Sequence, residues 1–472
     1  MTAPAADEIG KLFALQRTAF AEERYPSHAA RRDRLDRLVL LLERHEPEMI
    51  AAISEDFGLR PAQETRLTEL FVVLVALRHA RRHLARWMRS RRVPTPLYLL
   101  PGGSRIERQP LGVVGIISPW NYPVQLALLP VVAALAAGNR AMVKPSELTP
   151  RTSALLSALI ARYFSPAELG VVNGGAEAGA AFARLPFDHL LFTGSTAIGR
   201  QIALAAAENL TPVTLELGGK SPALIHDDAD LAVLAPRLAS GKFLNAGQTC
   251  IAPDYVLVPR KRADVLAKAL ERAVTTLYPD ARDNRDYASI IDDRHYARLE
   301  SLLSDARSKG ATVIELGAGR GTPAGERRLA PTLVLDARDD MAVMQEEIFG
   351  PILPIETYAT LDEAIARINV RPRPLAMYMF GGGTAERRRV LERTVAGGVT
   401  LDDTLWHFCN ENLPFGGVGA SGQGAYHGEY GFLAFTHQKA VFTQSRAAVS
   451  RVLYPPYGER FEKTLRWLKK IV

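Results

Sequence analysis

The chain has 472 residues, of which 47% are hydrophobic and 23% charged, so its composition excludes intrinsic disorder and indicates an ordered globular protein. The length is about three times that of a usual domain, and two or three substructures are therefore expected. A net charge of +7 suits a nucleic-acid partner, but the basic residues concentrate in stretches such as 79–92 and 451–470 without a nucleic-acid-binding motif, so we expect solvated faces and no nucleic acid.

The predicted elements begin with helices and continue as an alternation of strands and helices. Apolar residues recur at helical spacing in 34–53 and 67–87, so two or three helices are predicted in the first ninety or so residues. From Gly112 onward short β-rich runs alternate with helical ones, which predicts a parallel sheet covered on both faces. The predicted strands of this sheet are 113–117, 141–143, 171–172, 189–192 and 213–217.

A second α/β region is predicted to begin near Leu217. Its predicted strands are 255–258, 312–315 and 351–357, and the glycine-rich 317–325 is predicted to be a surface turn.

No segment is predicted to cross a membrane or to direct secretion. The most apolar long stretch, 124–138, is shorter than the ~20 residues that a spanning helix needs and contains Pro130, so we predict a buried helix. Residues 1–8 are small and polar, unlike a signal peptide. The last residues, 467–472, are too few and too charged to span, although an amphipathic surface helix is an alternative there.

Cys250 ends the run Asn-Ala-Gly-Gln-Thr-Cys and is one of only two cysteines. The other, Cys409, has no recognisable thiol motif, so both are expected to be reduced thiols of a cytoplasmic protein. A free cysteine usually packs as a small buried hydrophobe. The residues that accompany Cys250 along the chain favour a covalent nucleophile instead.

Two side chains with suitable chemistry accompany the cysteine. Glu216 ends a strand-like run before a pair of glycines, where a carboxylate can accept a proton. Asn121 follows the first predicted strand between two prolines, where its amide can donate a hydrogen bond to an oxyanion. The structural alternatives are a carboxylate that only ends a strand and an amide that only caps a helix.

Two further phrases complete the pattern: Glu-Glu-Ile-Phe-Gly-Pro at 346–351 and Pro-Phe-Gly-Gly-Val-Gly at 414–419. With the residues above, and in this order, they resemble the aldehyde dehydrogenase superfamily over roughly residues 65–460. The short N-terminal region and Gly-Ala-Tyr-His-Gly at 424–428 look like the class 3 branch. Residues 91–95 and 185–196 resemble the bacterial coniferyl aldehyde dehydrogenase group.

The resemblance implies an α/β fold with a Rossmann-like NAD-binding domain, an α/β catalytic domain and a small β oligomerisation arm. Because this arm builds the subunit interface in relatives, a homodimer is expected. The expected bounds are 1–92 and 112–216 for the NAD-binding domain with its N-terminal helices, 217–410 for the catalytic domain, 93–111 and 411–440 for the arm, and 441–472 for a C-terminal tail. From the sequence alone, only the alternation at 104–108 indicates a strand in the arm.

The resemblance also implies a dinucleotide site. Gly194, Ser195 and Gly199 follow a predicted strand and open a helix, whose N-terminus attracts phosphate. Their spacing is not G-x-G-x-x-G, so a simple strand-to-helix turn is the alternative. Lys144 and Glu147 match positions that hold the adenosine ribose in relatives. Because the Glu147 carboxylate would repel a 2′-phosphate, NAD is expected as cofactor, with NADP as the alternative.

The nicotinamide end of this site is assigned to a second group of residues. Glu347 matches the family residue that grips the nicotinamide ribose, and Phe349 the one that packs near the ring. The alternatives are a helix-start carboxylate and a core aromatic. Trp120, Leu217 and Gly218 match further cofactor contacts. No Cys/His cluster has metal-ligand spacing, so no metal is predicted.

The implied reaction is the NAD(P)-dependent oxidation of an aldehyde to a carboxylic acid. Cys250 attacks the aldehyde, the Asn121 amide and the Cys250 backbone N–H hold the oxyanion, and Glu216 deprotonates the water that hydrolyses the thioester. The subgroup suggests coniferaldehyde or a related aromatic aldehyde, giving a ferulate-type acid. The alternatives are a medium or long aliphatic aldehyde, release of the acyl group to CoA, and a thiol esterase without redox chemistry.

Aromatic side chains that are candidate walls for this small-molecule substrate, although core packing also explains each, are Trp120, Tyr122, Trp406, Phe408 and Phe415. His427 is expected to be an interface histidine without a catalytic role. Two positions depart from the family pattern: Asp402 stands where relatives often carry Asn, and Gln423 where Met is common. Both are expected to affect the pocket mouth or the loop beneath it.

Overall fold

Three sheets organise the part of the chain that the computed structural model describes, residues 6–317, 327–447 and 449–471. The strands are β1 Arg91–Val93, β2 Gly103–Pro110, β3 Val113–Ile117, β4 Arg140–Lys144, β5 Leu169–Val171, β6 His189–Thr193, β7 Val213–Glu216, β8 Pro222–Ile225, β9 Tyr255–Pro259, β10 Thr312–Glu315, β11 Thr332–Leu335, β12 Ile352–Tyr358, β13 Ala376–Phe380, β14 Gly398–Leu401, β15 Gly422–Gln423 and β16 Thr436–Thr443.

Helices cover the sheets and form the N-terminal region. They are α1 Ala6–Glu22, α2 His28–Arg44, α3 Glu46–Phe57, α4 Ala62–Thr65, α5 Val72–Trp87, α6 Gln125–Ala137, α7 Pro150–Tyr163, α8 Ala176–Ala183, α9 Thr196–Ala207, α10 Leu231–Phe243, α11 Ala263–Leu277, α12 Asp293–Ser308, α13 Ala342–Gln345, α14 Leu361–Val370, α15 Thr384–Arg393, α16 Gly428–Ala434 and α17 Glu459–Ile471. A π-helical turn, Arg66–Phe71, joins α4 to α5.

The first sheet has the order β15-β7-β6-β3-β4-β5, in which all neighbours except β15 and β7 are parallel. Every residue of β3, β4 and β6 is buried, as expected where helices cover both faces of a parallel sheet. The strand order reverses between β3 and β6. Such a reversal opens a crevice at the carboxyl ends of the strands, where ligands of this fold class bind.

The second sheet has the order β10-β11-β12-β9-β8-β13-β14 and is parallel except at β10. It confirms the predicted α/β fold with two such regions. The eight strands predicted for the two sheets are all present, with bounds within two residues of the prediction. The predicted turn at 317–325 lies outside the described residues except for Gly317.

The N-terminal region contains more helices than the two or three predicted. Besides the predicted segments, α1 packs against β3, β4 and α8. Only Ile9, Phe13 and Gln16 are buried among its described side chains, so its apolar face is too narrow to give a clear helical period. The predicted buried helix is confirmed as α6, all of whose residues are buried. Among the described residues, no helix is both long and apolar enough to span a membrane.

The third sheet, β1-β2-β16, is antiparallel and separate from the other two. Its outer strand β16 continues to Thr443, three residues beyond the predicted arm. Most of the earlier predicted segment 411–435 packs elsewhere, since β15 pairs with β7 and α16 lies against α5 and α6. The domain bounds, the homodimer through this arm and the cytoplasmic location stay predictions.

Candidate active site

Cys250 follows a backbone segment in an unusual conformation. Asn245, Ala246 and Gly247 have φ values of 52°, 51° and 74°, which lie in the left-handed region that L-residues other than Asn and Asp rarely adopt. A Cβ atom on Gly247 would lie 2.3 Å from the carbonyl oxygen of Gly350. Residues 245–250, the cysteine loop, therefore pack directly against the 346–351 segment. Position 247 has space for glycine alone.

Buried amides hold the cysteine loop in place. The Asn121 Nδ2 donates to the Gln248 carbonyl at 3.1 Å, and Asn245 Nδ2 donates to the Asn121 carbonyl at 3.0 Å. The Gln248 side chain donates to the Ser289 carbonyl at 3.1 Å and accepts from the Ile291 N–H at 3.0 Å. Asn121 is thus placed against the backbone two residues before Cys250.

An ion pair that the sequence analysis did not identify supports Asn121. The Arg60 guanidinium donates to the Asn121 carbonyl at 3.0 Å and to Glu69 Oε1 at 2.9 Å. Glu69 Oε2 accepts the N–H groups of Val124 and Gln125, at 3.0 and 2.7 Å. These four contacts fix the segment that carries Asn121. The sequence places this arginine and this glutamate nine residues apart beside a predicted helix. Their spacing did not indicate that Arg60 also bonds the Asn121 carbonyl.

Glu216 is the last residue of β7 and has only 2% of its surface exposed. The Ser421 carbonyl accepts the next backbone N–H, from Leu217, at 3.0 Å. Neither carboxylate oxygen of Glu216 has a hydrogen-bond partner among the described residues. Burial raises the pKa of Glu216 well above its usual range, so the ionised form is a strong base in this environment.

Glu347 brings a second carboxylate to the same region. A Cβ atom on Gly218 would lie 2.1 Å from Glu347 Oε2, and the Gly219 N–H donates to this carboxylate. Burial, with the nearby negative charge of Asp254, raises the pKa of Glu347 to about 8. The absence of a side chain at position 218 is therefore what gives Glu347 its place.

Both carboxylates affect the pKa of the Cys250 thiol. Burial of Cys250, followed by the negative charges of Glu347 and Glu216, raises the pKa of the thiol to about 12, against the effect of the Cys250 and Ile251 N–H groups. The structure therefore brings together the predicted nucleophile and two predicted carboxylates from separate parts of the chain. A thiol in this environment must lose its proton to a base before it can attack a carbonyl carbon.

The candidate phosphate turn lies at the carboxyl end of β6. Ser195 is the N-cap of α9, and its Oγ accepts a backbone N–H of the first turn at 3.4 Å. A Cβ atom on Gly199 would lie 2.6 Å from Leu217 Cδ2, so Gly199 allows α9 to pack against the end of β7. Gly194 precedes this cap. The first turn of α9, which begins directly after β6, has backbone N–H groups of the kind that bind phosphate.

Polar groups without partners surround that edge of the first sheet. Ser118 Oγ after β3 and Thr193 Oγ1 at the end of β6 are buried and unpaired among the described residues, as is Asn173 Oδ1 after β5. Lys144, at the end of β4, donates to Glu147 at 2.7 Å, and nearly half of the Glu147 side chain is exposed. Unsatisfied buried polar atoms at a strand-order reversal are a physical indication of a ligand that supplies their partners.

The rings of Trp120 and Phe349, two residues assigned to the nicotinamide end, pack against each other. Their ring centroids are 5.4 Å apart in an edge-to-face arrangement, and Phe349 has a φ of 49°. On another side, Trp120 contacts His295 at 5.0 Å. The Phe349 side chain is therefore held in place by packing although its backbone lies in a disfavoured region.

A pocket of about 460 Å³ has Cys250 in its wall. Part of its apolar surface comes from the π-helical turn and the start of α5, and a further part from the loop 403–411. Of the five aromatic candidates, Tyr122, Trp406 and Phe408 line this pocket. Trp120 packs on Phe349 and Phe415 packs on Tyr426 instead. Sequence analysis missed the pocket residues Leu67, Phe71, Val72, Val75 and Glu411.

The two departures from the family pattern lie away from this pocket. Asp402 has a φ of 58°, which aspartate tolerates better than most residues. Its carboxylate accepts from Arg387 at 2.7 Å and from the Gly381 N–H at 3.0 Å, so it shapes the loop that continues into the pocket wall. Gln423 is exposed in β15, at the edge of the first sheet.

Gly247→Ala is expected to destabilise the protein by ~3 kcal/mol, because the left-handed backbone and the contact with Gly350 both oppose a side chain. Gly310→Ala is the matched control, since Gly310 has a φ of 89° but no atom within 4 Å of its Cβ position, and the expected loss is ~1 kcal/mol. Thermal unfolding midpoints of the two variants measure the difference. Equal midpoints would contradict the close packing of the cysteine loop on Gly350.

The sequence matches the aldehyde dehydrogenase family over residues 1–441. It is 48% identical to a probable coniferyl aldehyde dehydrogenase of Caulobacter vibrioides, with 95% of this chain and 94% of that protein covered. It is also 48% identical to the coniferyl aldehyde dehydrogenase of a Pseudomonas species, covering 96% and 95%. An aldehyde dehydrogenase family 3 member of Arabidopsis thaliana is 39% identical, covering 93% and 89%.

Solved structures agree with the fold described above. A substrate-bound state of Staphylococcus aureus AldH matches with a TM-score of 0.93 and 40% identity, over 98% of this chain and 99% of that one. A Mycobacterium tuberculosis aldehyde dehydrogenase complexed with NAD⁺ matches with a TM-score of 0.83 and 31% identity, over 93% and 91%. The resemblance predicted from sequence, including its class 3 and coniferyl aldehyde dehydrogenase character, is confirmed. The chain therefore belongs to the aldehyde dehydrogenase family and is an oxidoreductase.

Proposed function

We propose that the protein oxidises an aromatic aldehyde of the coniferaldehyde type to the corresponding ferulate-type acid, with NAD as the hydride acceptor. The observation that carries this proposal is the position of Cys250, in the wall of a largely apolar, partly aromatic pocket and within reach of the charges of Glu347 and Glu216. The names of the relatives that are 48% identical over nearly the whole chain support the aromatic substrate.

The residues at the carboxyl edge of the first sheet fit a dinucleotide. The unpaired polar atoms at the ends of β3, β5 and β6 and the capped start of α9 fit its phosphates and ribose hydroxyls. In this proposal Gly194, Ser195 and Gly199 face the pyrophosphate. Lys144 and Glu147 hold the adenosine ribose.

The nicotinamide end would be held by Glu347 through its ribose, with Phe349, Trp120, Leu217 and Gly218 around it. Gly218 leaves room for the Glu347 carboxylate, which supports this assignment. When bound, NAD supplies the hydride acceptor and a positive charge near the thiol.

Cys250 is the proposed nucleophile. Because burial and two carboxylates raise the pKa of its thiol to about 12, the thiol is protonated at neutral pH, and a neighbouring carboxylate takes its proton as the sulfur attacks the aldehyde carbon. Asn121 uses one N–H on the Gln248 carbonyl. Its second N–H and the backbone N–H of Cys250 are proposed to stabilise the oxyanion.

Glu216 is the proposed base for thioester hydrolysis. It is buried, has no hydrogen-bond partner among the described residues, and has a strongly raised pKa, so it can take a proton from water and is not held by a competing cation. Such a base favours release of the acyl group to water over release to CoA. The dinucleotide-like edge of the first sheet favours oxidation over the esterase alternative, which would leave it without a role.

The substrate is tested by NADH formation with coniferaldehyde and with octanal under identical conditions. We expect a larger kcat/KM for coniferaldehyde, because aromatic side chains of the pocket bury a planar ring well. A preference for octanal would replace the aromatic assignment with an aliphatic one. No NADH from either aldehyde would overturn the proposed function as a whole.

Glu147→Gln is expected to raise the ratio of kcat/KM for NADP to that for NAD by about tenfold. The change removes a negative charge that repels a 2′-phosphate. It also frees the Lys144 ammonium, which pairs with Glu147 in the wild-type protein. Glu208→Gln, at the exposed end of α9, removes the same charge away from this edge and should leave the ratio unchanged. An unaltered ratio in Glu147→Gln would remove Glu147 from cofactor discrimination.

A further inference from the structure

Glu411 places a carboxyl group in the wall of the pocket that contains Cys250. Its side chain is 93% buried. Oε2 accepts the Gly428 N–H at 3.0 Å. Among the described residues Oε1 accepts no hydrogen bond, and its contact with His427 Nδ1 is 3.9 Å, which is too long for one. One carboxyl oxygen is therefore available to a ligand in the pocket.

Within the described part of the chain, no positive charge offsets the burial of Glu411. Burial lowers the pKa of His427 to about 3, so this neighbour is neutral. Phe408, which also lines the pocket, packs edge-on against the His427 ring at 4.7 Å. Burial raises the pKa of Glu411 to about 7, against the effect of the Gly428 N–H. A buried carboxyl group among apolar and neutral side chains lowers the stability of the protein when only one of its oxygens is hydrogen-bonded. A ligand that bonds to the other oxygen removes this cost.

The backbone of Glu411 packs closely against the segment that contains Gly428. A Cβ atom on Gly428 would lie 1.9 Å from the Glu411 carbonyl oxygen, and Gly428 has a φ of 49°. The adjacent His427 has a φ of 98°, a strained value for a residue with a side chain. Strain of this kind is retained where the surrounding structure determines the position of a group closely. Glu411 therefore has a defined position in the wall.

We propose that Glu411 is a specificity-determining residue that accepts a hydrogen bond from a ring hydroxyl of the substrate, remote from its aldehyde group. This inference rests on the proposed function, in which Cys250 attacks the aldehyde in the same pocket. Phe71, Trp406 and Phe408 supply aromatic surface to the pocket, and Glu411 adds a polar acceptor. The pocket then combines a thiol, surfaces for a planar ring, and a partner for a phenol.

The chemistry of the carboxyl group explains how it discriminates. A phenol donates to the free oxygen of Glu411, whereas an aldehyde without a hydroxyl group excludes water and leaves that oxygen unpaired. A ligand that cannot pair with a buried polar group loses more binding free energy than a ligand that only changes its apolar contacts. Glu411 thus selects hydroxylated aromatic aldehydes against both alkyl aldehydes and aryl aldehydes without the hydroxyl.

The test compares three substrates: coniferaldehyde, 3-methoxycinnamaldehyde, which differs only by lacking the ring hydroxyl, and octanal. We expect wild-type enzyme to prefer coniferaldehyde over 3-methoxycinnamaldehyde by tenfold or more in kcat/KM. A ratio of this size is on the order of the effect of losing one hydrogen bond to a charged group. Glu411→Leu should reduce this ratio to near one, mainly through a higher KM for coniferaldehyde, while octanal oxidation is retained or improved. Glu411→Gln should keep part of the ratio, because its amide oxygen still accepts.

Glu208→Gln is the matched control, because it neutralises an exposed carboxylate at the end of α9 that lies outside the pocket. It should leave the substrate ratio unchanged. A wild-type ratio near one, or an unchanged ratio in Glu411→Leu, would overturn the role of Glu411 even if all three aldehydes are oxidised. Absence of NADH with every aldehyde would instead overturn the proposed function, and octanal turnover by the variants establishes that they fold.

Discussion

Cys250→Ala is expected to lower NADH formation by on the order of 10⁴-fold with every aldehyde tested, because the change removes the sulfur that is proposed to form the covalent intermediate. The alanine is smaller than the cysteine, and the surrounding loop is held by Asn121, Asn245 and Gln248 rather than by the sulfur. The fold should therefore persist. Initial rates of NADH formation measure the loss, and thermal unfolding with and without NAD separates lost chemistry from lost folding.

Cys409→Ala is the matched control for the nucleophile. Cys409 lines the same pocket, but burial and then the negative charge of Glu411, not of Glu216 or Glu347, raise the pKa of its thiol. The variant should therefore keep NADH formation within an order of magnitude of wild type. A large loss in Cys409→Ala combined with retained activity in Cys250→Ala would exchange the roles of the two thiols and contradict the proposed mechanism.

Much of the fold follows from local sequence because buried parallel strands are runs of β-branched residues. Val113–Ile117 is the clearest case, with every residue buried and bounds equal to the prediction. Pro222–Ile225 and Ala376–Phe380 were missed, since proline, alanine and methionine favour strands weakly. They form strands because each lies inside the second sheet, paired on both sides. Tertiary pairing overrides local preference there.

Individual site residues were visible in the sequence, but their contacts were not. Cys250 and Glu216 stand in recognisable phrases, whereas the approach of Gly247 to Gly350 joins positions about a hundred residues apart. Local patterns do not encode such distances. The same holds for Arg60, whose role depends on the Asn121 carbonyl, and for Glu411, whose significance comes from burial in a pocket wall. Such roles become apparent only once packing is known.

Glu216→Gln is expected to slow steady-state turnover by ~10²–10⁴-fold while leaving a burst of up to one NADH per active site. The amide is close in size to the carboxylate but cannot take a proton from water, so the thioester on Cys250 should accumulate. Stopped-flow absorbance measures the burst, and intact-protein mass measures the acyl adduct. An unchanged steady-state rate would remove Glu216 from the mechanism.

Glu347→Gln provides the control for this assignment, because Glu347 is the other carboxylate whose charge reaches Cys250. It should raise the KM for NAD without accumulating thioester. The pH dependence separates them further. The pKa of Glu216 is raised by burial, so the base is lost as pH falls through that raised pKa, and wild-type deacylation should increase with pH across it. Glu216→Gln should lack this increase, whereas Glu347→Gln should retain it. If instead Glu347→Gln accumulates the thioester and loses the pH dependence, Glu347 is the hydrolytic base.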